Sequence, residues 1–402
     1  MKLYFIQFIY INNRVYTKMK KNSSIKLKWL LLGSLITSTA MSFIWPLNTI
    51  YMHNTLHQSL TIAGLVLGIT QIATMVGNWL GGVLFDRWSI YKTSLIGVII
   101  NSVVLGMLTF LNSWPIYALL ITLSGFSNGI LTTCIYSLAT RVENQTASSI
   151  FNMLYFTSNF GLVFGTLAVG YLLNTGVSYI FFLAFINQVI FLIIVVKHFN
   201  VINIAQSKIT KRPEKIPLKI LFSIIGILFS LLLSWIVYTQ WQSNLSAYML
   251  SKGFSIKRYS FLWTLNAILI VVFQPILTLY NNWLEKHIVL RINIGLILFA
   301  VSFFILLFGN YYYIFAVAMI VLTLGEILLF PGVASLVNMR VPPTRSGFYQ
   351  GQVQMFTAGG KALGPFIGAA IIDLTSYSIL FCYLILIIII AIFIFNISVY
   401  KS

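Results

Sequence analysis

The chain has 402 residues, of which 59% are aliphatic or aromatic and only 8% charged, and its mean hydropathy is +0.93. That composition excludes a soluble globular protein and points to an integral membrane protein; the apolar runs lack the alternation of barrel strands, so helices must satisfy the backbone. The net charge of +19 does not imply nucleic acid, because 21 of the 25 Lys and Arg lie on one set of segment ends, with only Lys252, Lys257 and Arg258 on the other.

By the positive-inside rule this asymmetry places both termini in the cytoplasm, and the cell (plasma) membrane is the expected location. A span needs about 20 apolar residues. Twelve spans are predicted, at 29–52, 60–85, 93–111, 115–139, 147–173, 179–197, 220–242, 259–280, 288–309, 312–336, 347–372 and 378–400. Residues 1–28 form a cytoplasmic segment, 29–197 a first six-helix bundle, 198–219 a cytoplasmic linker with Pro213 and Pro217, and 220–402 a second six-helix bundle. Met19, before Lys20 and Lys21, is an alternative start.

Span one ends with Trp45, Pro46 and Asn48. Trp45 and Asn48 are candidates for a cavity wall, with an aromatic belt at the outer interface as the alternative. Span two leads through Gly81 and Gly82 into Leu84, Asp86, Arg87 and Lys92 in a short polar loop. Span four offers Asn128 and Tyr136 as cavity residues, although buried amides also join helices. Span five carries Asn159, Gly161, Gly165 and Gly170, a pattern that suits close helix packing.

In the second half, span seven holds Trp235, Tyr238 and Gln240 among other polar and aromatic groups, which are costly against lipid unless they line water or substrate. Span eight adds Trp263 and Asn266, and the loop after it holds Glu285 and Lys286. Of the six acidic residues, Glu326 in span ten is the one that lies well inside a span, where an ionisable group marks a functional site by default. Span eleven carries Gln352 and Lys361. At 1.5 Å per residue, Glu326 and Lys361 sit about 15 and 21 Å from the cytoplasmic ends of their spans, so the two can meet, either as a structural ion pair or as a site for protons or substrate.

An offset of 199 residues carries Asp86-Arg87 onto Glu285-Lys286, Lys92 onto Arg291, Arg141 onto Arg340, Gly161 onto Gly360 and Gly165 onto Gly364. One spacing shared by several matches identifies a duplicated unit read twice in the same direction.

The loop Gly82-x-Leu84-x-Asp86-Arg87 resembles the signature loop between spans two and three of the major facilitator superfamily, with Ser89 where that family has glycine and Ile90 and Tyr91 where basic residues are usual. The glycines of span five are similar to the span five motif of the family's antiporters, and the Gly325-Glu326 to Pro331 stretch, the Pro343-x-Arg345-x-Gly347 turn and the Gly360 to Pro365 run are similar to the multidrug-efflux branch of that superfamily. Gly125 stands where many proton-coupled exporters of the family have arginine, and Thr166 where span five of its antiporters has proline.

The resemblance implies an all-α membrane protein with twelve transmembrane helices in two pseudo-symmetric bundles that rock around a central cavity. It implies a gate at Gly82, Asp86, Arg87 and Lys92, in which the aspartate engages the start of helix eleven, with Glu285 and Lys286 as the weaker copy. The expected function is proton-coupled export of amphipathic, drug-like compounds, with Glu326 and Lys361 as the coupling pair. A specific metabolite such as a sugar, amino acid or metal chelator, a proton-independent facilitator, and a receptor that does not transport are the alternatives. The expected partners are a small-molecule substrate, protons and the lipid bilayer, with the chain as a monomer. No P-loop, metal-ligand cluster or nucleophile–histidine arrangement is present in the sequence, so no cofactor, metal or enzymatic activity is expected and a proton gradient is the expected energy source.

Overall fold

A computed structural model of the chain describes residues 25–44, 48, 51–142, 145–172, 176–200 and 216–400. Met19, Trp45 and most of the 198–219 linker lie outside them. All regular structure among the described residues is helical.

The long helices are α1 (Leu27–Ile44), α2 (Leu60–Arg87), α3 (Ile90–Phe110), α4 (Ile116–Ala139), α5 (Ala147–Leu172), α6 (Val177–His198), α7 (Leu218–Gln242), α8 (Ile256–Leu279), α9 (Ile288–Leu306), α10 (Tyr312–Arg340), α11 (Ser346–Leu374) and α12 (Tyr377–Tyr400). Judged on the described residues alone, eleven of them are long and apolar enough to cross a membrane. α5 has 26 residues and carries Asn152, Thr157, Ser158 and Asn159. Within the predicted first span the described residues are helical in α1 to Ile44, at Asn48, and in a π-helical turn, Tyr51–Thr55.

Local chemistry explains the ends. Ser59 and Ser255 cap α2 and α8 by accepting the backbone N–H of Ile62 and Arg258. Ser89 does the same for α3, accepting the Lys92 N–H at 3.3 Å. The serine that replaces a glycine in the loop motif is therefore a helix cap. The second loop copy instead folds into a six-residue helix, Asn281–Lys286.

The two halves pack alike. In the first bundle α1 packs on α5 and α6, α2 on α4, and α3 on α4 and α6; in the second, α7 packs on α11 and α12, α9 on α10 and α12, and α8 on α10. The duplicated glycines occupy matching places: Gly161 and Gly165 of α5 lie against Leu35 to Ser42 of α1, and Gly360 and Gly364 of α11 against Leu232 to Thr239 of α7. A Cβ at Gly165 would collide with Ser42, and one at Gly364 with Thr239. Only glycine permits these backbones to approach so closely.

The bundles meet through α2 and α4 against α11, and through α5 against α8 and α10. On α2 the contact face runs at three- and four-residue spacing from Gly82, against the Gly347 carbonyl, through Asn78, against Gly351, to Met75, against Gly359. Continued along the helix, the same face reaches Gly68 and Gly64, around which nothing lies within 4 Å of a Cβ position. The bundles are thus joined at the end that carries the basic loops and parted toward the opposite end. A buried apolar cluster spans the join, with Phe85 and Ile130 of the first bundle and Trp235 and Val353 of the second.

Candidate functional site

The join at the basic end is made by two sets of polar contacts. In the first, Asp86 at the end of α2 faces the start of α11. Its Oδ1 accepts the Gly347 N–H at 2.9 Å and its Oδ2 the Phe348 N–H at 2.7 Å. A carboxylate on two free amides of a helix N-terminus is favoured by charge-assisted hydrogen bonding and by the helix dipole. Glycine at 347 is required here, because a Cβ would lie 2.5 Å from Phe85 and 2.6 Å from the Asp86 carboxylate. The end of α4 adds to the latch: Thr140 hydrogen-bonds Ser346 at 3.1 Å, and Arg141 donates to the Pro343 carbonyl at 3.0 Å. Burial pushes the Arg141 guanidinium below its ordinary pKa, and the Asp86 charge offsets part of that. Arg87 and Lys92 are exposed, and Lys92 lies over the Trp88 ring at 5.4 Å.

The second set corrects the expectation for Glu285 and Lys286. The Asn281–Lys286 helix buries Asn281 and Leu284 and leaves Lys286 exposed and Glu285 half-buried. In this second set, the hydrogen bonds to the first bundle are made by Asn281 and Arg291. Asn152 donates to Asn281 Oδ1 at 2.8 Å, and Arg291 donates to Ser148 at 2.9 Å and to Asn152 Oδ1 at 2.6 Å. Arg291, 1% exposed, also donates to the Leu328 and Ile327 carbonyls. The planar fork of arginine suits four neutral acceptors on two bundles.

Deeper along the join lies Glu326 of α10, 2% exposed. Its Oε1 accepts from Tyr155 of α5 and, at 3.0 Å, from Tyr238 of α7; its Oε2 accepts from Asn266 of α8 at 2.9 Å. Asn266 also donates to Thr323 at 2.9 Å. The carboxylate is therefore enclosed by three donors from three helices, one of them in the opposite bundle. Phe330 packs beside this group, stacked on Trp235 at 4.1 Å and edge-on to Tyr238 at 5.6 Å. Trp263 touches Tyr238 edge-on at 6.4 Å.

Lys361 of α11 does not pair with Glu326. Its Nζ lies over the Trp235 ring at 4.3 Å, a cation–π contact, and the side chain is exposed. Two residues on, about 200° around the helix, exposed Leu363 occupies the opposite face. Lys361 thus faces the cleft while Leu363 faces outward. Within the first bundle, among α1, α4 and α5, a small cavity of about 30 Å³, room for a water, is lined mainly by the hydroxyl-bearing residues Ser34, Thr37, Ser38, Thr132, Tyr136 and Ser158. The Thr37 hydroxyl is buried without a hydrogen-bond partner.

The remaining cavity candidates divide. Trp235, Tyr238, Trp263 and Asn266 belong to the Glu326 group, and Tyr136 lines the hydroxyl cavity. Asn48 accepts from Tyr117 at 2.8 Å inside the first bundle, and Gln240 donates to the Gly364 and Ile236 carbonyls, so both join helices and leave the cleft wall to others. Asn128 is half-buried with its side-chain oxygen unpartnered, and Gln352 is half-buried. Tyr155, Arg291 and Asn152 are the residues that the sequence reading did not select as site residues. The signal for Asn152 and Tyr155 is the polar stripe Ser148, Asn152, Tyr155, Asn159 on one face of α5, at intervals of four, three and four residues.

The comparisons with known proteins agree with this architecture. The profile of the Major Facilitator Superfamily matches residues 30–295 and 292–401. The chain is 36% identical over 351 residues to the uncharacterized MFS-type transporter YttB of Bacillus subtilis (strain 168), covering 86% of this chain and 88% of that protein. It is 24% identical over 371 residues to YqjV of the same organism, also an uncharacterized MFS-type transporter, covering 89% of each. Among solved structures, the human organic anion transporter MFSD10 (TETRAN) superposes with a TM-score of 0.75 at 12% identity, over 94% of this chain and 99% of that one. The POT family transporter PepTSo gives 0.67 at 14% identity, over 93% and 97%. With this match across the whole span of both bundles, the chain belongs to the Major Facilitator Superfamily and is a membrane transporter.

Proposed function

We propose that the protein is a proton-coupled, alternating-access transporter of amphipathic organic compounds, with Glu326 as the group that carries the proton. The observation behind this reading is the position of Glu326: an isolated carboxylate deep in the membrane, held by donors from both bundles. As a carboxylate it accepts all three hydrogen bonds. Once protonated it becomes a donor at one oxygen, and the charge-assisted bonds weaken. Protonation therefore loosens the contact with Tyr155 that helps to hold the bundles together.

The basic ends are assigned to the cytoplasm of the cell membrane by the positive-inside rule. The conformation described above is then outward-facing, with the Asp86 and Arg291 contacts as the cytoplasmic latches. A proton reaching Glu326 through the outer cleft favours opening toward the cytoplasm. The wall of Trp235, Phe330 and Trp263 supplies the apolar part of the substrate site.

Export, which the efflux-type motifs imply, requires that proton and substrate occupy the site in turn; uptake requires that they occupy it together. The test of coupling is transport by the purified protein in liposomes with an imposed pH gradient, using a panel of amphipathic solutes. Gradient-dependent transport that Glu326→Gln abolishes is expected. Transport by the wild type that ignores the gradient would remove the proton-coupled reading.

A further inference from the structure

The two buried-zone charges are not equally available. Glu326 is closed in by Tyr155, Tyr238 and Asn266, whereas Lys361 is exposed on the cleft side of α11, its ammonium resting on the face of Trp235. A solute that enters the cleft meets a cation above an indole. We propose that the substrate is an amphipathic organic anion, its acidic group bound by Lys361 and its apolar part by Trp235, and that it moves together with the proton on Glu326. This rests on the proton-coupled reading above and names its substrate.

Charge balance links the two parts. A cavity that closes away from water disfavours net charge. With Lys361 charged, a monovalent anion bound and Glu326 protonated, the closed site is neutral. A bound cation beside Lys361 leaves the site with one net positive charge when Glu326 is ionised and two when it is protonated. An anion also favours the proton on a nearby carboxylate, and the proton favours the anion, by reciprocity of binding. The same arrangement explains why Lys361 is not spent on Glu326: a direct ion pair would neutralise the charge that the substrate needs.

The test uses the full chain in liposomes and two permanently charged probes of similar shape, naphthalene-2-sulfonate and 2-naphthyltrimethylammonium, so that pH acts on the protein alone. The expected result is uptake of the sulfonate, at least tenfold faster than the ammonium probe and accelerated by acid on the entry side. Lys361→Met should lower sulfonate uptake at least tenfold, and Lys361→Arg should restore most of it, which separates lost charge from misfolding. Ammonium uptake equal to or faster than sulfonate uptake overturns the proposal, as does wild-type rate in Lys361→Met or failure of the wild type to carry the sulfonate. Sulfonate preference without any pH effect leaves the substrate assignment standing and removes the proton coupling; gradient-driven transport of the ammonium probe does the reverse.

Discussion

Glu326 of α10 and Tyr155 of α5 share a hydrogen bond although they belong to different bundles. This places the buried carboxylate in direct contact with the surface that must separate when the basic end opens. A change in the protonation of one side chain thereby changes the energy of a contact between two rigid bodies.

Tyr155→Phe keeps the ring and removes that bond. Hydrogen bonds to charged groups contribute about 1.5–3 kcal/mol, so the population open at the basic end should rise by roughly tenfold or more. Cysteine accessibility at that end, compared between wild type and variant, reads the shift; unchanged accessibility contradicts a role for this bond in holding the bundles together.

Asp86→Asn leaves one oxygen to accept an amide but removes the charge and the second acceptor on the start of α11. Opening of the basic end should increase and transport should fall, with insertion into the membrane intact. Gly347→Ala should act in the same direction by a different cause, since its Cβ would press on Phe85 and Asp86. Normal turnover in both variants would show that this contact does not gate transport.

Arg291 and Glu285 separate two accounts of the second latch. Arg291→Lys loses the fork that serves Ser148, Asn152 and two carbonyls, and should destabilise the protein by about 1–3 kcal/mol. Glu285→Gln, on the short helix, should have a much smaller effect. Thermal unfolding of the two purified variants in detergent decides; equal losses would return the latch to the loop motif.

Much of the fold could be read from the sequence, because hydrocarbon imposes helices of a fixed minimum length and the basic residues mark one end of each. The duplication was legible for a similar reason: Gly161 and Gly360 serve the same close packing, so one residue type persists at one offset. Asp86 was legible as a carboxylate beside a span end, and its partner at the start of α11 through the resemblance of its loop to the superfamily's signature. Arg291 was noticed only as the copy of Lys92, and the two differ completely, one buried across the join and the other exposed over Trp88. A shared offset records common descent of the backbone and leaves the side chain's partner undetermined. Tyr155 was hidden because a tyrosine in an apolar helix suits packing as well as hydrogen bonding. Asn48 and Gln240 were read as cavity groups, but their partners Tyr117 and Gly364 lie on neighbouring helices that spacing along one helix cannot reveal.

The most direct test of Glu326 as the proton switch is a distance across the basic end as a function of pH. Spin labels at Lys197 and Met339, both exposed and in different bundles, can be placed after Cys134→Ser and Cys382→Ser and measured by pulsed electron resonance in lipid nanodiscs. The account predicts a short distance at alkaline pH, a growing population of long distances as pH falls, and a long-distance population that no longer depends on pH in Glu326→Gln. A wild-type distance that does not respond to pH, or one whose response persists unchanged in Glu326→Gln, contradicts it.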